Sequence, residues 1–267
     1  MRKNAFFPKK VRTESEKEEN AMLLMERVKI ITEYLSEHEY ATVKQIAADV
    51  HMSETTVRRD LKYLEERNAV KRNYGGAALV SHLHKTVPFD FRAREHAREK
   101  ELIAEKAALL IHAGDTVFLD ESSTTCALAE ILDEKQDVTV ITPSMAAAAV
   151  LGGKNIRTYC AGGLYDPVTS SFRGRMTEEF FSAFNANVAF FSATCVSENG
   201  RITDSRESGA YLKRALLKNA EKKVFLCDGS KFGKTSLATV CTLADIDAVV
   251  SDIPLPEALK ETVALSL

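Results

Sequence analysis

The chain has 267 residues, of which 45% are hydrophobic and 28% are charged, and its formal net charge at pH 7 is −2. This composition is typical of a soluble globular protein, and the length suits one small and one medium domain or a single large one. No apolar run approaches the roughly 20 residues of a membrane span, and no long apolar segment follows the basic N-terminus, so we expect a cytoplasmic protein without membrane association.

The first part of the chain carries the pattern of a small helical domain. Residues 1–20 open basic and turn acidic, which predicts a flexible tail. Within residues 21–78, Leu24, Val28 and Ile31 recur at steps of four and three, which predicts a first helix.

A second and a third helix are predicted close together. Residues 42–45 have the spacing of a capping box, and only a tight turn separates the short helix that they begin from Ser53, a candidate N-cap. In the next helix Val57, Leu61 and Leu64 form an inward face, so the opposite face is polar and basic. This arrangement is typical of a helix-turn-helix whose second member enters the DNA major groove. An ordinary amphipathic helix would explain the two arginines alone, but not the caps and the tight turn as well.

A basic hairpin, or wing, is predicted after the third helix. Residues 69–74 look extended, and Gly75-Gly76 ends them. Six basic and three acidic side chains lie between Thr55 and Gly75, a local balance of +3, so positive charge is concentrated in this motif. Arginines suit guanine edges or phosphates, and threonines suit phosphates or a thymine methyl group. The predicted DNA-binding residues are Ser53, Thr55, Thr56, Arg58, Arg59, Lys62, Lys71 and Arg72.

The same residues carry a resemblance to a known family. The run from Ser53 to Glu65, Ser-x-x-Thr-Val-Arg-Arg-Asp-Leu-x-x-Leu-Glu, followed by Arg and then Gly-Gly-Ala, resembles the N-terminal signature of the DeoR family of bacterial transcription regulators. The resemblance covers about the first eighty residues. Asn68 stands where the family usually has glycine, and Tyr74 where it usually has histidine.

After the wing the pattern changes. Residues 79–98 are predicted to form a linker, because Val87-Pro88 disfavours helix and the arginines that follow are polar enough to be exposed. From residue 99 to residue 267, helical segments alternate with short apolar strands, which predicts an α/β domain with a mostly parallel sheet covered by helices. Predicted strands are 116–120, 138–142, 156–161, 188–193, 224–227 and 248–251.

Polar residues follow four of these strands. Ligands of such sheets bind beyond the carboxyl ends of the strands, and hydroxyls and amides at a helix N-terminus form a site for an anion such as phosphate. One serine-rich strand end is most often just a helix cap, but four at equivalent places favour a phosphate-bearing ligand. The predicted effector-binding residues are Asp120, Ser122, Ser123, Thr124, Thr125, Thr142, Ser144, Gly162, Gly163, Asp228 and Lys231.

This second half resembles the effector domain of the DeoR family, which implies a fold similar to that of ribose-phosphate isomerases and CoA transferases. Residues 119–125 match the family's phosphate turn, and residues 228–233 match its late Asp-x-Ser-Lys-Phe-Gly motif, whose lysine is expected to meet the ligand's anion. Glu121 stands where the family usually has a small neutral residue, and Pro143 where it usually has asparagine. Both departures favour an effector that differs from the common sugar phosphates, because a carboxylate beside a phosphate would weaken the site.

An enzymatic alternative rests on one tetrad. Ser197-Glu198-Asn199-Gly200 is similar to the active-site tetrad of some CoA transferases, whose glutamate is the nucleophile. The same four residues are a strong turn signal, and the acidic cluster that isomerase chemistry would use is missing after the equivalent strand, which ends in Thr194-Cys195-Val196. We therefore expect no enzyme. The alternative is a sugar-phosphate isomerase or CoA transferase-like enzyme with an accessory DNA-binding module.

Metals, cofactors and disulfides are not expected. The five cysteines contain no Cys-x-x-Cys pair and fit buried, reduced thiols. His82-x-His84 has no third ligand near it in the sequence, so a polar linker explains it better than a metal site.

Together these patterns predict a DNA-binding transcriptional regulator, most simply a repressor, of carbohydrate metabolism genes. Its C-terminal domain is expected to bind a phosphorylated sugar or a similar anionic metabolite. Because paired half-sites multiply specificity, we expect a homo-oligomer, a dimer or tetramer, on a double-stranded DNA operator. A third interpretation makes the helix-turn-helix a protein-docking module, and a steep loss of DNA affinity with salt would argue against it.

Overall fold

The computed structural model of the protein describes residues 14–38, 40–67, 69–73, 75–79, 89–133 and 137–267. These residues belong to two compact units, Met1–His82 and Leu83–Leu267. Several residues singled out in the sequence lie outside the described parts of the chain: residues 1–13 of the predicted tail, Asn68, Tyr74, His82, His84 and the pair Val87-Pro88.

The first unit is a three-helix bundle with a small antiparallel sheet. Its elements are α1 (Glu14–Glu37), β1 (Ala41–Thr42), α2 (Val43–Asp49), α3 (Glu54–Glu66), β2 (Val70–Asn73) and β3 (Gly76–Leu79). The side chains of Ile31, Ile46 and Leu61, one from each helix, are completely buried, as the helical periodicity predicts. Helix α1 begins at Glu14, so it extends into the stretch predicted as a tail.

The wing is a hairpin of β2 and β3, and β3 also pairs with β1. Gly76 is opposite Thr42 in this sheet, and a Cβ atom at residue 76 would lie 2.3 Å from the carbonyl oxygen of Ala41. Glycine is therefore required at residue 76 by the close approach of the two strands.

The second unit is an α/β domain. Its helices are α4 (Phe89–Arg94), α5 (Ala97–Ala108), α6 (Ser123–Ile131), α7 (Met145–Gly152), α8 (Arg175–Phe181) and α9 (Glu207–Lys218). Its strands are β4 (Thr116–Leu119), β5 (Thr139–Thr142), β6 (Arg157–Cys160), β7 (Leu164–Asp166), β8 (Ser171–Arg173), β9 (Ala186–Phe191), β10 (Cys195–Val196), β11 (Arg201–Asp204), β12 (Ala220–Cys227), β13 (Ala238–Thr242), β14 (Ala248–Ser251) and β15 (Leu265–Ser266).

Among the described residues, seven strands form a parallel sheet in the order β15-β14-β12-β9-β4-β5-β6. Alternate strand residues enter two separate cores, so that Val117 and Leu119 of β4 pack on one face and Phe118 on the other. A sheet buried on both faces explains why its strands read as continuous apolar runs, and the predicted fold class is confirmed.

Two smaller sheets accompany the large one. Strands β10, β11 and β13 form an antiparallel sheet, and β7 pairs with β8 in a hairpin. The structure differs from the predicted linker, since α4 and the start of α5 fall within residues 79–98. The physical reason is Phe89, which is buried in the core of the second unit.

The cysteines are free thiols, but they are not all buried as predicted. Cys160 is exposed because it lies on β6, the outermost strand at its end of the sheet, and Cys241 is half-buried.

Candidate functional site

Helix α3 begins at the capping residue that the sequence predicts. The Ser53 hydroxyl oxygen accepts a hydrogen bond of 3.1 Å from the backbone N–H of Thr56 and lies 2.9 Å from the Thr56 hydroxyl. Since Val57, Leu61 and Leu64 are fully buried, the opposite face of the helix is turned to solvent. The polar face of α3 is therefore available to a partner.

The predicted DNA-binding residues lie on α3 and on the wing. Except for the half-buried Thr56, they are exposed: Ser53, Thr55, Arg58, Arg59, Lys62, Lys71 and Arg72. The Arg58 guanidinium lies 2.7 Å from the Glu54 carboxylate one turn earlier, and that of Arg72 lies 3.5 Å from Glu65. Exposed pairs of this kind contribute roughly 0–1 kcal/mol, so phosphates could replace the carboxylates at little cost.

Asp60 is a structural residue of this face that the sequence did not reveal. Its side chain is completely buried, and its carboxylate accepts hydrogen bonds of 2.6 and 3.0 Å from the Arg27 guanidinium on α1. The bidentate pair fixes α3 against α1. Asp60 also lies 3.5 Å from the Arg59 guanidinium, so it orients one of the exposed arginines.

A cavity of about 350 Å³ lies in the second unit at the carboxyl ends of β4, β9 and β12. These strands are neighbours in the sheet, and the hairpin β7–β8 and the segment from α4 to α5 supply further walls. Seven lysine or arginine residues and four carboxylates line the cavity, which leaves a balance of +3. An anion is therefore the ligand that its charge favours. The seven cations are Arg92, Lys100, Arg173, Arg206, Lys213, Lys231 and Lys234.

The turn after β4 brings the start of α6 to the cavity. Ser122 caps α6 by accepting a hydrogen bond of 3.1 Å from the N–H of Thr125, and Ser122, Ser123 and Thr124 line the cavity. The first amides of a helix have no partner within the helix, so they are available to an anion. Within the described parts of the chain the Thr124 hydroxyl is also without a hydrogen-bond partner, although this residue is only 1% exposed.

Asp120 and Thr125 stabilise this turn from behind and are not among the cavity's lining residues. The Asp120 carboxylate accepts hydrogen bonds from the N–H of Ser122 at 2.9 Å, the hydroxyl of Thr125 at 2.8 Å and the N–H of Ser192 at 3.0 Å. The carboxylate thus joins the ends of β4 and β9. Its position is structural rather than ligand-facing.

Lys231 enters the cavity from the end of β12. Its ammonium group lies 2.7 Å from the Ser192 hydroxyl and 3.5 Å from the Asp228 carboxylate. Burial opposes the ionisation of Asp228, but Lys231, the hydrogen bond from Ser230 and further nearby cations together outweigh it, and the pKa of this carboxyl is lowered. The motif's lysine therefore lies in the cavity, as the resemblance implies.

The structure does not bring the other predicted effector-binding residues into the cavity lining. Thr142 and Ser144 are completely buried, and the Ser144 hydroxyl caps α7 by accepting a hydrogen bond from the N–H of Ala147. The carbonyl of Gly162 accepts a hydrogen bond from the Thr177 hydroxyl, and a Cβ at Gly163 would lie 2.2 Å from that hydroxyl. These residues follow β5 and β6, which lie beyond β4 in the sheet and away from β9 and β12.

A cluster of charged side chains around Lys213 lies beside the turn between β4 and α6. The ammonium group of Lys213 lies 2.6 Å from Glu121, 3.0 Å from Asp204 and 3.4 Å from Asp120, and its side chain is only 3% exposed. Burial favours the neutral lysine, but the three carboxylates outweigh it, so the pKa of Lys213 is raised and the group stays charged. Glu121, which the sequence suggested would place a carboxylate beside a bound phosphate, is thus paired with Lys213.

Lys213 does not compensate its three partners equally. Burial would raise the pKa of Asp204, but Lys213 reverses this and the pKa is lowered. For Glu121 burial prevails over Lys213, and its pKa is raised. One Glu121 oxygen, Oε2, has no hydrogen-bond partner among the residues that the structure describes, so Glu121 is the least compensated carboxylate of this cluster.

Arg92 and Lys100 are further cavity residues that the sequence analysis missed or misjudged. Arg92 was expected to be exposed in a linker, but it lines the cavity from α4. The Lys100 ammonium donates hydrogen bonds to the carbonyls of Arg92, at 2.5 Å, and Glu95. Burial, with Lys231 nearby, lowers the pKa of Lys100 to about 8. Arg92 lies on α4 and Lys100 on α5, and His96 has a left-handed backbone between the two helices, so no periodicity within one helix indicated that these side chains share the cavity.

An ion-pair bridge connects the hairpin β7–β8 to the start of α9. The Asp166 carboxylate accepts a hydrogen bond from the Arg206 guanidinium and lies 3.2 Å from that of Arg173. Both arginines line the cavity. Burial opposes the ionisation of Asp166, but the hydrogen bond and charge of Arg206, the hydrogen bond from the N–H of Val168 and the charge of Arg173 together overcome it, and the pKa of this carboxyl is lowered.

The tetrad Ser197–Gly200 forms the turn between β10 and β11. The N–H of Ser197 donates a hydrogen bond of 3.0 Å to the carbonyl of Arg201, and Gly200 has a φ of +76°. Glu198 is exposed and is not among the residues that line the cavity. The turn interpretation therefore fits the structure better than an active-site glutamate.

The parts of the chain that the structure describes contain no cluster of three or more potential metal-binding side chains. Within the same residues, no helix combines the length and the apolar character needed to cross a membrane.

Known proteins resemble both units. The model of the DeoR-like helix-turn-helix domain matches residues 27–82, and that of the DeoR C terminal sensor domain matches residues 95–253. The transcriptional repressor GlcR of Bacillus subtilis is 36% identical over 85% of this chain and 88% of its own. The L-fucose operon activator of Haemophilus influenzae is 33% identical over 88% of this chain and 94% of its own. The structure of ribose 5-phosphate isomerase A from Methanocaldococcus jannaschii aligns with 51% of this chain and 55% of its own, at 19% identity and a TM-score of 0.40. The chain belongs to the DeoR family of helix-turn-helix transcriptional regulators.

Proposed function

We propose that this regulator represses carbohydrate metabolism genes and that a phosphorylated sugar in the cavity of the second unit controls its DNA affinity. The observation that carries the proposal is the cavity's charge balance of +3 together with the start of helix α6, whose residues Ser122, Ser123 and Thr124 line the cavity. The names of two relatives agree with a sugar-linked repressor: GlcR and the lactose phosphotransferase system repressor of Staphylococcus epidermidis.

On DNA, we propose that α3 lies in the major groove and that the wing follows the phosphate backbone. The arginines of α3 would read base edges or phosphates, and Lys71 and Arg72 of β2 would contact phosphates. Because one such module contacts few base pairs, the chain is expected to act as a dimer or tetramer on an operator with repeated half-sites. Light scattering of the purified cytoplasmic protein measures that assembly.

We further propose that the cavity binds its ligand without converting it. Lys213 has a raised pKa and therefore cannot act as a base or a nucleophile near neutral pH. Burial raises the pKa of the Cys195 thiol, so this cavity residue is not an activated nucleophile either. Incubation with ribose 5-phosphate, followed by NMR, tests the isomerase alternative, and steady conversion to ribulose 5-phosphate would favour the enzyme.

The decisive experiment is fluorescence anisotropy on DNA from the region upstream of the protein's own gene, with and without a panel of sugar phosphates. We expect binding that weakens steeply with salt, as counterion release requires, and that one compound changes. Binding that no compound alters would refute the sensor half of the proposal. Absence of binding at low salt would refute the DNA half, and salt-insensitive association with a protein would favour the docking interpretation.

A further inference from the structure

Glu121 is a carboxylate of the cavity whose charge is incompletely compensated and whose hydrogen-bonding capacity is incompletely satisfied. Glu121 is 8% exposed and lines the cavity, and its Oε1 atom meets Lys213, while its Oε2 atom has no hydrogen-bond partner among the described residues. A buried carboxylate oxygen without a donor costs free energy, so a ligand that brings a donor to this atom gains more than it would in water.

The surroundings of Glu121 decide which kind of donor fits. The ammonium group of Lys213 is shared by two buried carboxylates, Asp120 and Glu121, and by the half-buried Asp204. Arg92, on α4, is the second cation that acts on all three. The cluster therefore retains an excess of one negative charge, which a neutral hydroxyl would leave in place and a cation would remove.

The rest of the cavity suits an anion. Lys100, Lys231 and Lys234 line it together with the start of α6, so a ligand with both a phosphate and a positive group would meet complementary charges. We propose that the effector is an amino sugar phosphate and that Glu121 recognises its ammonium group. This inference rests on the sugar-phosphate function proposed above. Glu121 is then a specificity-determining residue, and Thr124, which lines the same cavity and whose hydroxyl has no partner within the described parts of the chain, can bond a sugar hydroxyl.

Isothermal titration calorimetry of the full chain tests this proposal with two matched pairs of probes, glucosamine 6-phosphate against glucose 6-phosphate and galactosamine 6-phosphate against galactose 6-phosphate. The members of each pair differ by an ammonium group in place of a hydroxyl. We expect at least one amino compound to bind about tenfold or more tightly than its partner, as a hydrogen bond between charged groups implies. Glu121→Gln should reduce that preference to within about twofold, because the amide loses the charge but can still accept from Lys213.

Two controls separate recognition from damage to the fold. Glu198→Gln changes an exposed glutamate outside the cavity and should leave the preference intact. Glu121→Ala repeats the test if the glutamine variant melts at lower temperature. Equal or weaker binding of both amino compounds by the wild-type chain, or a preference that persists in Glu121→Gln, would overturn the inference and leave the sugar-phosphate function standing. Failure of all four probes to bind would overturn both.

Discussion

Replacement of Lys213 by methionine tests the charge cluster at the cavity. Methionine keeps most of the apolar stem but removes the cation that the buried Asp120 and Glu121 and the half-buried Asp204 share. Breaking a buried ion pair by removing one partner costs about 3–5 kcal/mol. Because Lys213 is only 3% exposed, solvent screening does not reduce that range appreciably. We therefore expect the free energy of unfolding of the second unit at pH 7 to fall by about 3–5 kcal/mol.

The pH dependence gives this prediction its sharpest form. In the wild-type protein the pKa of Asp204 is lowered, so its contribution to stability is present above its unfolded pKa and is lost as the pH falls through the folded value. In Lys213→Met, Asp204 and Glu121 lose their nearest cation, so this lysine no longer opposes the effect of burial and their pKa values rise above the unfolded values. The variant should therefore recover stability, relative to the wild type, as the pH falls from 7 towards 5.

Urea unfolding followed by circular dichroism at pH 7 and pH 5 measures both effects. Lys218→Met is the matched control, since Lys218 is exposed on the same helix, and it should change the free energy of unfolding by less than about 0.5 kcal/mol. A loss below about 1 kcal/mol for Lys213→Met, or a loss that does not shrink at pH 5, would show that the three carboxylates do not depend on this lysine.

Four further predictions concern the two candidate sites. Arg58→Ala and Arg59→Ala should each weaken operator binding by about 1–3 kcal/mol and lower its salt dependence without changing the circular dichroism spectrum; unchanged anisotropy curves for both would refute the assignment of α3. Lys231→Ala should bind the operator normally but lose the response to the effector, whereas a normal response would put the anion elsewhere. Asp60→Asn should lower the free energy of unfolding of the first unit, measured in urea, by about 2–4 kcal/mol. This is somewhat less than the loss expected for a fully buried ion pair, because the arginine partner of Asp60 is partly exposed. Equal stability of the variant and the wild type would argue against the buried pair. Affinity for a sugar phosphate should fall between pH 7 and pH 9, because Lys100, with a pKa of about 8, loses its proton while the phosphate remains doubly charged; a flat calorimetric profile would contradict this.

Much of the fold could be predicted because its signals are local. Ser53 and Ser122 cap their helices through contacts within one turn, and the apolar periodicity of α3 needs only its own residues. The alternation of apolar strands and helices likewise predicts a parallel sheet, since crossover helices bury both of its faces. Short-range rules therefore suffice for the element types and for the ends of the principal helices.

The residues that line the cavity could not be predicted in the same way, because the order of the strands in the sheet decides which residues reach it. Ser122 and Ser144 are both N-caps after parallel strands, yet Ser122 lines the cavity and Ser144 is enclosed. The difference arises because β4 adjoins β9, whereas β5 lies on its other side. The partners Glu121 and Lys213 are 92 residues apart, so no periodicity within one element connects them.

The charges around the cavity indicate which of its cations would contribute most to the binding of an anion. Lys213 and Arg206 already have carboxylate partners, so a ligand must compete with internal ion pairs for them. Lys100 is different, since its ammonium group is held by backbone carbonyls and no salt bridge joins it among the described residues. Its lowered pKa reports a buried charge that is poorly compensated, and a phosphate would compensate it and raise that pKa again. We therefore expect effector binding near pH 8 to take up a proton at Lys100.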